Sequence, residues 1–291
     1  MTLPRLNRLI AALERGRTAF GIFSPVGDIH SAVQLSTSRY DGVILEGEHV
    51  GWDVRGLRDC LQYLLDPARI AAAGSPAAGV TPIARIPANG VERNQFLVKQ
   101  ALDAGTYGIV FPHIATVEDA YAAVAACRYS RPKDRPLYEP AGRRGDGPFQ
   151  AARYWGVDMA EYYRRADVWP LAKDGELLVV IQIESVAGAA NLRDIVREVP
   201  GIGIVLIGEG DLAQDVGYPR QGEHPAVVEV IDSIAAVCHE AGVVVGHPKA
   251  EAGNLRRLID GGFRYLMCAA PRSFEMLDAA RTAAGRRKGA D

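Results

Sequence analysis

Apolar residues along this chain fall into short β-branched runs that alternate with longer stretches of helical periodicity. The strand candidates are Ala19–Phe23, Gly42–Leu45, Thr81–Arg85, Gly108–Phe111, Leu177–Ile183, Gly203–Ile207, Val243–Gly246 and Tyr265–Ala269. Most are unbroken apolar runs, as parallel strands covered on both faces require. Helical patterns precede, separate and follow them at Leu3–Leu13, Val54–Leu65, Glu92–Ala104, Val117–Cys127, Ala187–Glu198, Ala226–Ala241, Glu251–Asp260 and Ser273–Ala284. Three of these stop at a glycine, in Ala104-Gly105, Ala241-Gly242 and Asp260-Gly261, where the chain can take a left-handed turn at little cost. Eight strands alternating with helices predict one (β/α)8 barrel over residues 1–291; periodicity alone leaves a doubly wound sheet open.

Residues 128–176 break the rhythm. The stretch holds Arg128, Arg131, Lys133, Arg135, Arg143 and Arg144 around a Gly/Pro-rich core, Pro140–Pro148. A connection this long is usually functional or disordered. Its aromatics (Tyr138, Phe149, Tyr154, Trp155, Tyr162, Tyr163 and Trp169) predict an ordered lid or interface, with a short helix over Met159–Val168.

Composition narrows the class. Of 291 residues, 48% are hydrophobic and 23% charged, which suits a globular chain and excludes a disordered one. With 33 Lys plus Arg against 35 Asp plus Glu, the formal charge of −2 gives no reason to expect nucleic acid or an anionic membrane as partner. The basic tail Arg286-Arg287-Lys288 reads as a solvated end. No run reaches the ~18 apolar residues of a spanning helix. The N-terminus is amphipathic and unlike a signal peptide. Cys60, Cys127, Cys238 and Cys268 form no C-x-x-C pair, so buried thiols in a cytoplasmic protein are expected.

Barrel chemistry sits at the C-terminal ends of strands, so the polar residues that end these runs matter most. Glu46-Gly47-Glu48-His49, Arg85, Gln182-Ile183-Glu184 and Gly208-Glu209-Gly210-Asp211 all lie there. Glu184 follows Gln182 at strand spacing, which points both to one side. Two carboxylates at neighbouring strand ends, Glu184 and Asp211, without a Cys or His cluster, suit a hard cation such as Mg²⁺ or Mn²⁺. Each also has a plainer reading, a salt bridge to a loop arginine for Glu184 and a helix N-cap for Asp211. His49 is placed to act as a general base beside Glu46 and Glu48, or to be a rim histidine without a role. His247, ending the seventh run, is its competitor, whereas His30, His113, His224 and His239 read as loop or helix residues. Arg85 suits a substrate carboxylate or a developing oxyanion, or an ion pair with Glu46 or Glu48. The Gly208–Asp211 turn opens a helix at Leu212 and presents backbone N–H groups that an anion can use.

Together these motifs, with Gly142-Arg143-Arg144-Gly145, occur in an order that resembles the class II pyruvate aldolases of the HpcH/HpaI type, over roughly residues 17–275. The resemblance implies a barrel that exchanges its last helix between dimer partners, often within a hexamer. It also implies carbon–carbon bond cleavage and formation between a 2-oxo acid and an aldehyde, dependent on Mg²⁺, Mn²⁺ or Co²⁺. Glu184 and Asp211 match the metal ligands, Arg85 the arginine on the pyruvate oxygen, Gln182 a polar pocket residue and His49 the base. Gly210, Asp211 and Leu212 match the substrate-binding turn; Glu46 and Arg144 match supporting positions. The chain departs from the family at Glu46, where Asp is usual, and at Glu209, where proline is usual. Alternatives are a 2-oxo acid decarboxylase, an acyl-CoA lyase, or a barrel that binds metal without catalysis. The absence of lysine at these strand ends argues against Schiff-base chemistry.

Overall fold

The computed structural model describes residues 4–87 and 95–268. The expected helix Ser273–Ala284, its exchange between subunits and the basic tail lie outside these residues, as does the start of the helix expected from Glu92. Eight parallel strands form the barrel: β1 (Ala19–Pro25), β2 (Gly42–Glu46), β3 (Thr81–Arg85), β4 (Gly108–Phe111), β6 (Leu177–Ile183), β7 (Ile204–Ile207), β8 (Val244–His247) and β9 (Tyr265–Met267). A two-residue strand, β5 (Val168–Trp169), adds to the start of β6. Neighbours run β4-β3-β2-β1-β9-β8-β7-β6, and β4 pairs with β6 to close the ring. Closure excludes the doubly wound sheet, and the eight expected strands match within a residue or two at each described end; Ala269, the expected end of the last, lies outside the described residues.

Strand alternation sorts the side chains into two cores. Val43, Leu45, Val179, Ile181, Ile183, Val205 and Ile207 face outward onto the helices. Ile44, Ile83, Val110, Leu178, Val180, Ile204 and Leu206 fill the barrel interior. Leu9, Ile10 and Leu13 of α1 (Arg8–Glu14) join that interior group and plug its N-terminal mouth. The plug is fastened by polar contacts: Glu176 accepts the N–H groups of Leu6 and Asn7 at 3.1 and 2.9 Å, and the Asn7 amide donates to the Tyr107 and Glu176 carbonyls.

The outer layer contains α2 (Ile29–Ser36), α3 (Val54–Tyr63), α4 (Pro67–Ala73), α5 (Gln95–Ala104), α6 (Val117–Cys127), α7 (Phe149–Trp155), α8 (Met159–Arg165), α9 (Val186–Glu198), α10 (Glu209–Asp215), α11 (Pro225–Ala241) and α12 (Leu255–Asp260). Among the described residues no helix is long and apolar enough to cross a membrane. Cys60, Cys127, Cys238 and Cys268 are free thiols.

The 128–176 segment is ordered, but it lies at the N-terminal face, away from the strand ends that carry the candidate chemistry. Trp155 of α7 stacks on Tyr107 at 4.5 Å and donates its indole N–H to the Gly105 carbonyl, both at the turn that enters β4. Arg128 is fully buried and pairs with Asp167 at 2.7 Å while donating to the carbonyls of Leu137 and Pro140. The segment therefore closes the base of the barrel and is not a lid over the rim.

His247 ends β8, buried, with its ring edge on Phe263. Its Nδ1 accepts the Lys249 N–H at 3.2 Å, and its Nε2 lies 3.4 Å from Glu209 Oε2. Burial pushes its pKa down to about 4. The folded protein thus keeps this ring neutral where the unfolded chain protonates it, below pH 6.5. Stability should fall by about 3 kcal/mol as pH drops from 6.5 to 4 through this group alone. Urea titrations across that range should show a smaller loss for His247→Gln; equal slopes would remove His247 from the acid sensitivity.

Candidate metal centre and its rim

The inward rows of the barrel change character at their last positions. Ile44 is followed by Glu46, Ile83 by Arg85, and Val180 by Gln182 and then Glu184. Glu46 and Arg85 are direct partners in the β2–β3 register, and their side chains form an ion pair through Glu46 Oε2. The other oxygen, Oε1, accepts the N–H groups of Glu48 at 2.7 Å and His49 at 2.9 Å. The Gly47 N–H donates to the Arg85 carbonyl at 2.9 Å, and a side chain at Gly47 would strike Trp52 and that carbonyl. The Glu46–His49 loop is therefore pinned to β3 by backbone and side chain together.

From Arg85 the contacts run round the rim in a closed circuit. Its Nη1 reaches Gln182 Oε1 at 3.3 Å, and the Gln182 amide donates to Glu184 Oε2 at 3.1 Å. The other Glu184 oxygen accepts the His113 backbone N–H, and the His113 Nδ1 lies 3.2 Å from it. His113 Nε2 is 3.9 Å from Glu48 Oε1, and Glu48 Oε2 returns to Arg85 Nη1 at 3.1 Å. The Arg85 guanidinium also rests over the Phe23 ring, 4.8 Å from its centroid. Burial raises the pKa of Glu184, against the favourable His113 contacts, and the nearby Glu48 and Asp211 add to the rise. Burial likewise raises that of Glu48, with Arg85 opposing. Crowded carboxylates of this kind are relieved by a bound cation.

Donor atoms of His113, Glu184 and Asp211 all lie within 4.8 Å of one another. Asp211 sits exposed in the first turn of α10, where the helix N-terminus favours a carboxylate. Gly208 caps that helix without a side chain, and a Cβ there would overlap the Cβ and Oε2 of Glu184. Two carboxyl oxygens with one imidazole nitrogen suit a divalent cation.

Most of the residues expected at the site are brought together: Glu46, Arg85, Gln182 and Glu184 in one contact network, with Asp211 beside Glu184. His49 has an exposed ring whose Nε2 lies 3.6 Å from Glu48. Its ring partner among the described residues is therefore Glu48, because Glu46 is spent on Arg85 and the loop N–H groups. Gly210 lies open at the start of α10, whereas Leu212 is buried and donates its N–H to the Gly208 carbonyl, anchoring that helix. Arg144 is not brought to the rim. It is buried in the basal segment, bound to Asp103 at 2.9 Å and the Tyr162 hydroxyl at 2.7 Å, with its guanidinium over Tyr129. His113, expected to be a plain loop residue, joins the rim instead; its only sequence signal is its place two residues after the β4 run.

Comparison with known proteins gives the family. Residues 19–266 match the family described as HpcH/HpaI aldolase/citrate lyase, and the chain belongs to that family. It is 28% identical over 264 residues, 91% of each chain, to a hydroxypyruvate/pyruvate aldolase from Roseobacter denitrificans. It is 32% identical to a 4-hydroxy-2-oxovalerate aldolase from Rhodococcus jostii, covering 78% of this chain and 75% of that protein. It is also 32% identical to a 2-keto-3-deoxy-L-rhamnonate aldolase from Klebsiella pneumoniae, covering 89% and 85%. Among solved structures, a family member from Burkholderia cenocepacia superposes with a TM-score of 0.76 at 29% identity, covering 96% of this chain and 98% of that one.

The Gly208 contact gives a direct test. Gly208→Ala should displace Glu184 and weaken Mn²⁺ binding about tenfold or more, by calorimetric titration, with the circular dichroism spectrum unchanged. Wild-type affinity would show that the space beside Glu184 is not needed.

Proposed function

We propose that this chain is a divalent-metal-dependent class II aldolase, a carbon–carbon lyase that cleaves or forms 4-hydroxy-2-oxo acids from a pyruvate-type 2-oxo acid and an aldehyde. The observation that carries this reading is the meeting of the Glu184 and Asp211 carboxylates beside a partly buried Arg85–Gln182 pair, with His49 exposed above the same rim. The three relatives named above, each an aldolase, support the same reaction class.

Glu184 and Asp211 would hold the cation. When bound, Mg²⁺, Mn²⁺ or Co²⁺ supplies Lewis-acid charge to the keto and carboxylate oxygens of the 2-oxo acid. Arg85 adds fixed positive charge for the keto oxygen, where negative charge gathers as the carbon–carbon bond breaks. It is suited to this because Glu46, Glu48 and Phe23 hold its plane before substrate arrives. Gln182 keeps Arg85 and Glu184 apart and oriented. His49 takes the proton from the 4-hydroxyl in cleavage and returns it in condensation, with Glu48 as the carboxylate beside its ring. Gly210 leaves open backbone at the α10 start for a substrate carboxylate. Among the described residues no lysine occupies an inward strand position, in keeping with a mechanism that forms no Schiff base. The same reading carries the expected homo-oligomer, for which the exposed Tyr63, Phe96 and Phe149 supply apolar surface.

Asp211→Asn should abolish pyruvate release from a 4-hydroxy-2-oxo acid with the fold intact, whereas His49→Ala should slow it by about 10²–10⁴-fold and leave Mn²⁺ affinity nearly unchanged. Pyruvate release should also stop with EDTA and resume with added metal. Full activity in Asp211→Asn, or release of CO₂ in place of aldehyde, overturns the assignment.

A further inference from the structure

We propose that His113 is a third protein donor of the metal centre, so that the site is a His/Glu/Asp set that prefers borderline transition-metal ions to Mg²⁺. This rests on Glu184 and Asp211 being the carboxylate ligands.

His113 has a left-handed backbone, with φ of 53°, which residues carrying a β-carbon rarely adopt. Two hydrogen bonds to the end of β6 hold it there. Its own N–H donates to Glu184, and the next N–H, of Ile114, donates to the Gln182 carbonyl at 3.3 Å. The turn aims the ring at the rim, with Nδ1 3.2 Å from Glu184. The ring is half-exposed, so core packing does not account for its orientation.

A hydrogen bond between His113 and Glu184 would account for those two residues alone. It gives no reason for the Asp211 carboxylate, delivered by another helix, to come within 4.8 Å of a ring nitrogen of His113. A common ion does, because ligands on one cation at bonding distances of about 2.1 Å stand at most about 4.2 Å apart. That span lies within a small side-chain adjustment of the one seen. Imidazole suits Co²⁺, Ni²⁺ and Zn²⁺, whereas Mg²⁺ prefers oxygen and retains its waters. A nitrogen donor would therefore separate the two classes of ion where carboxylates alone would do so less.

The test uses the full chain, stripped by chelation and reloaded. Pulsed electron paramagnetic resonance of the Mn²⁺ form should show coupling to a directly bound ¹⁴N, and this should vanish in His113→Asn, whose side chain tolerates the left-handed backbone. The same variant should bind Co²⁺ about 10- to 100-fold more weakly while Mg²⁺ affinity changes little, collapsing the preference between the two ions. If wild type shows no ¹⁴N coupling and unchanged ion preference in the variant, while Asp211→Asn and Glu184→Gln lose Mn²⁺, His113 only positions Glu184 and the proposal fails alone. If those two carboxylate variants bind Mn²⁺ like wild type, the underlying metal assignment fails with it.

Discussion

An ionised group that ends an inward strand row lies between a packed hydrocarbon interior and a solvent-facing mouth, and it must find its counter-charge within the rim. Glu46 and Arg85 meet that constraint through register: adjacent strands deliver them to the same level, one of each sign. Everything else at the mouth follows. Satisfying Glu46 fixes the loop that carries His49, and Arg85, held by Glu46 through Nε and Nη2, shares its Nη1 between Glu48 and Gln182. The Gln182 amide then turns its oxygen toward the guanidinium and its nitrogen toward Glu184, an arrangement that neither Glu nor Lys can reproduce.

This arrangement separates two jobs along the barrel axis. The N-terminal end is closed by α1 and by the segment from Arg128 to Glu176, with Trp155, Tyr107, Asp167 and Arg144 all committed to packing and internal pairing. The C-terminal end holds exposed or under-neutralised groups. Barrels in general divide in this way, with stability at the base and chemistry at the loops above the strands.

The strands are legible in the sequence because a barrel covered on both faces demands unbroken apolar runs. The rim residues are legible because a charge placed directly after such a run is costly to bury unless it is paired or holds a ligand. Helices α2, α4 and α7 are not. The first two are marked by Asp28 and by Asp66-Pro67 at their starts; α4 buries no side chain, so hydrophobic periodicity had nothing to show. The position of the basal segment is not legible either, since arginines and aromatics suit a base as well as a lid. Its motif points Arg144 to the site, whereas the groups that hold it, Asp103 and the tyrosines, come from distant parts of the chain. His113 escapes a reading by strand ends because its strand, Gly108–Phe111, is short, and only the backbone turn after it brings the ring back over the rim.

The plug formed by Leu9, Ile10 and Leu13 continues the packed interior to the base, so no passage runs through the barrel. The charged groups of the rim therefore meet water from one side only. Whatever settles on them displaces that water toward the mouth, and the hydrocarbon beneath them stays dry.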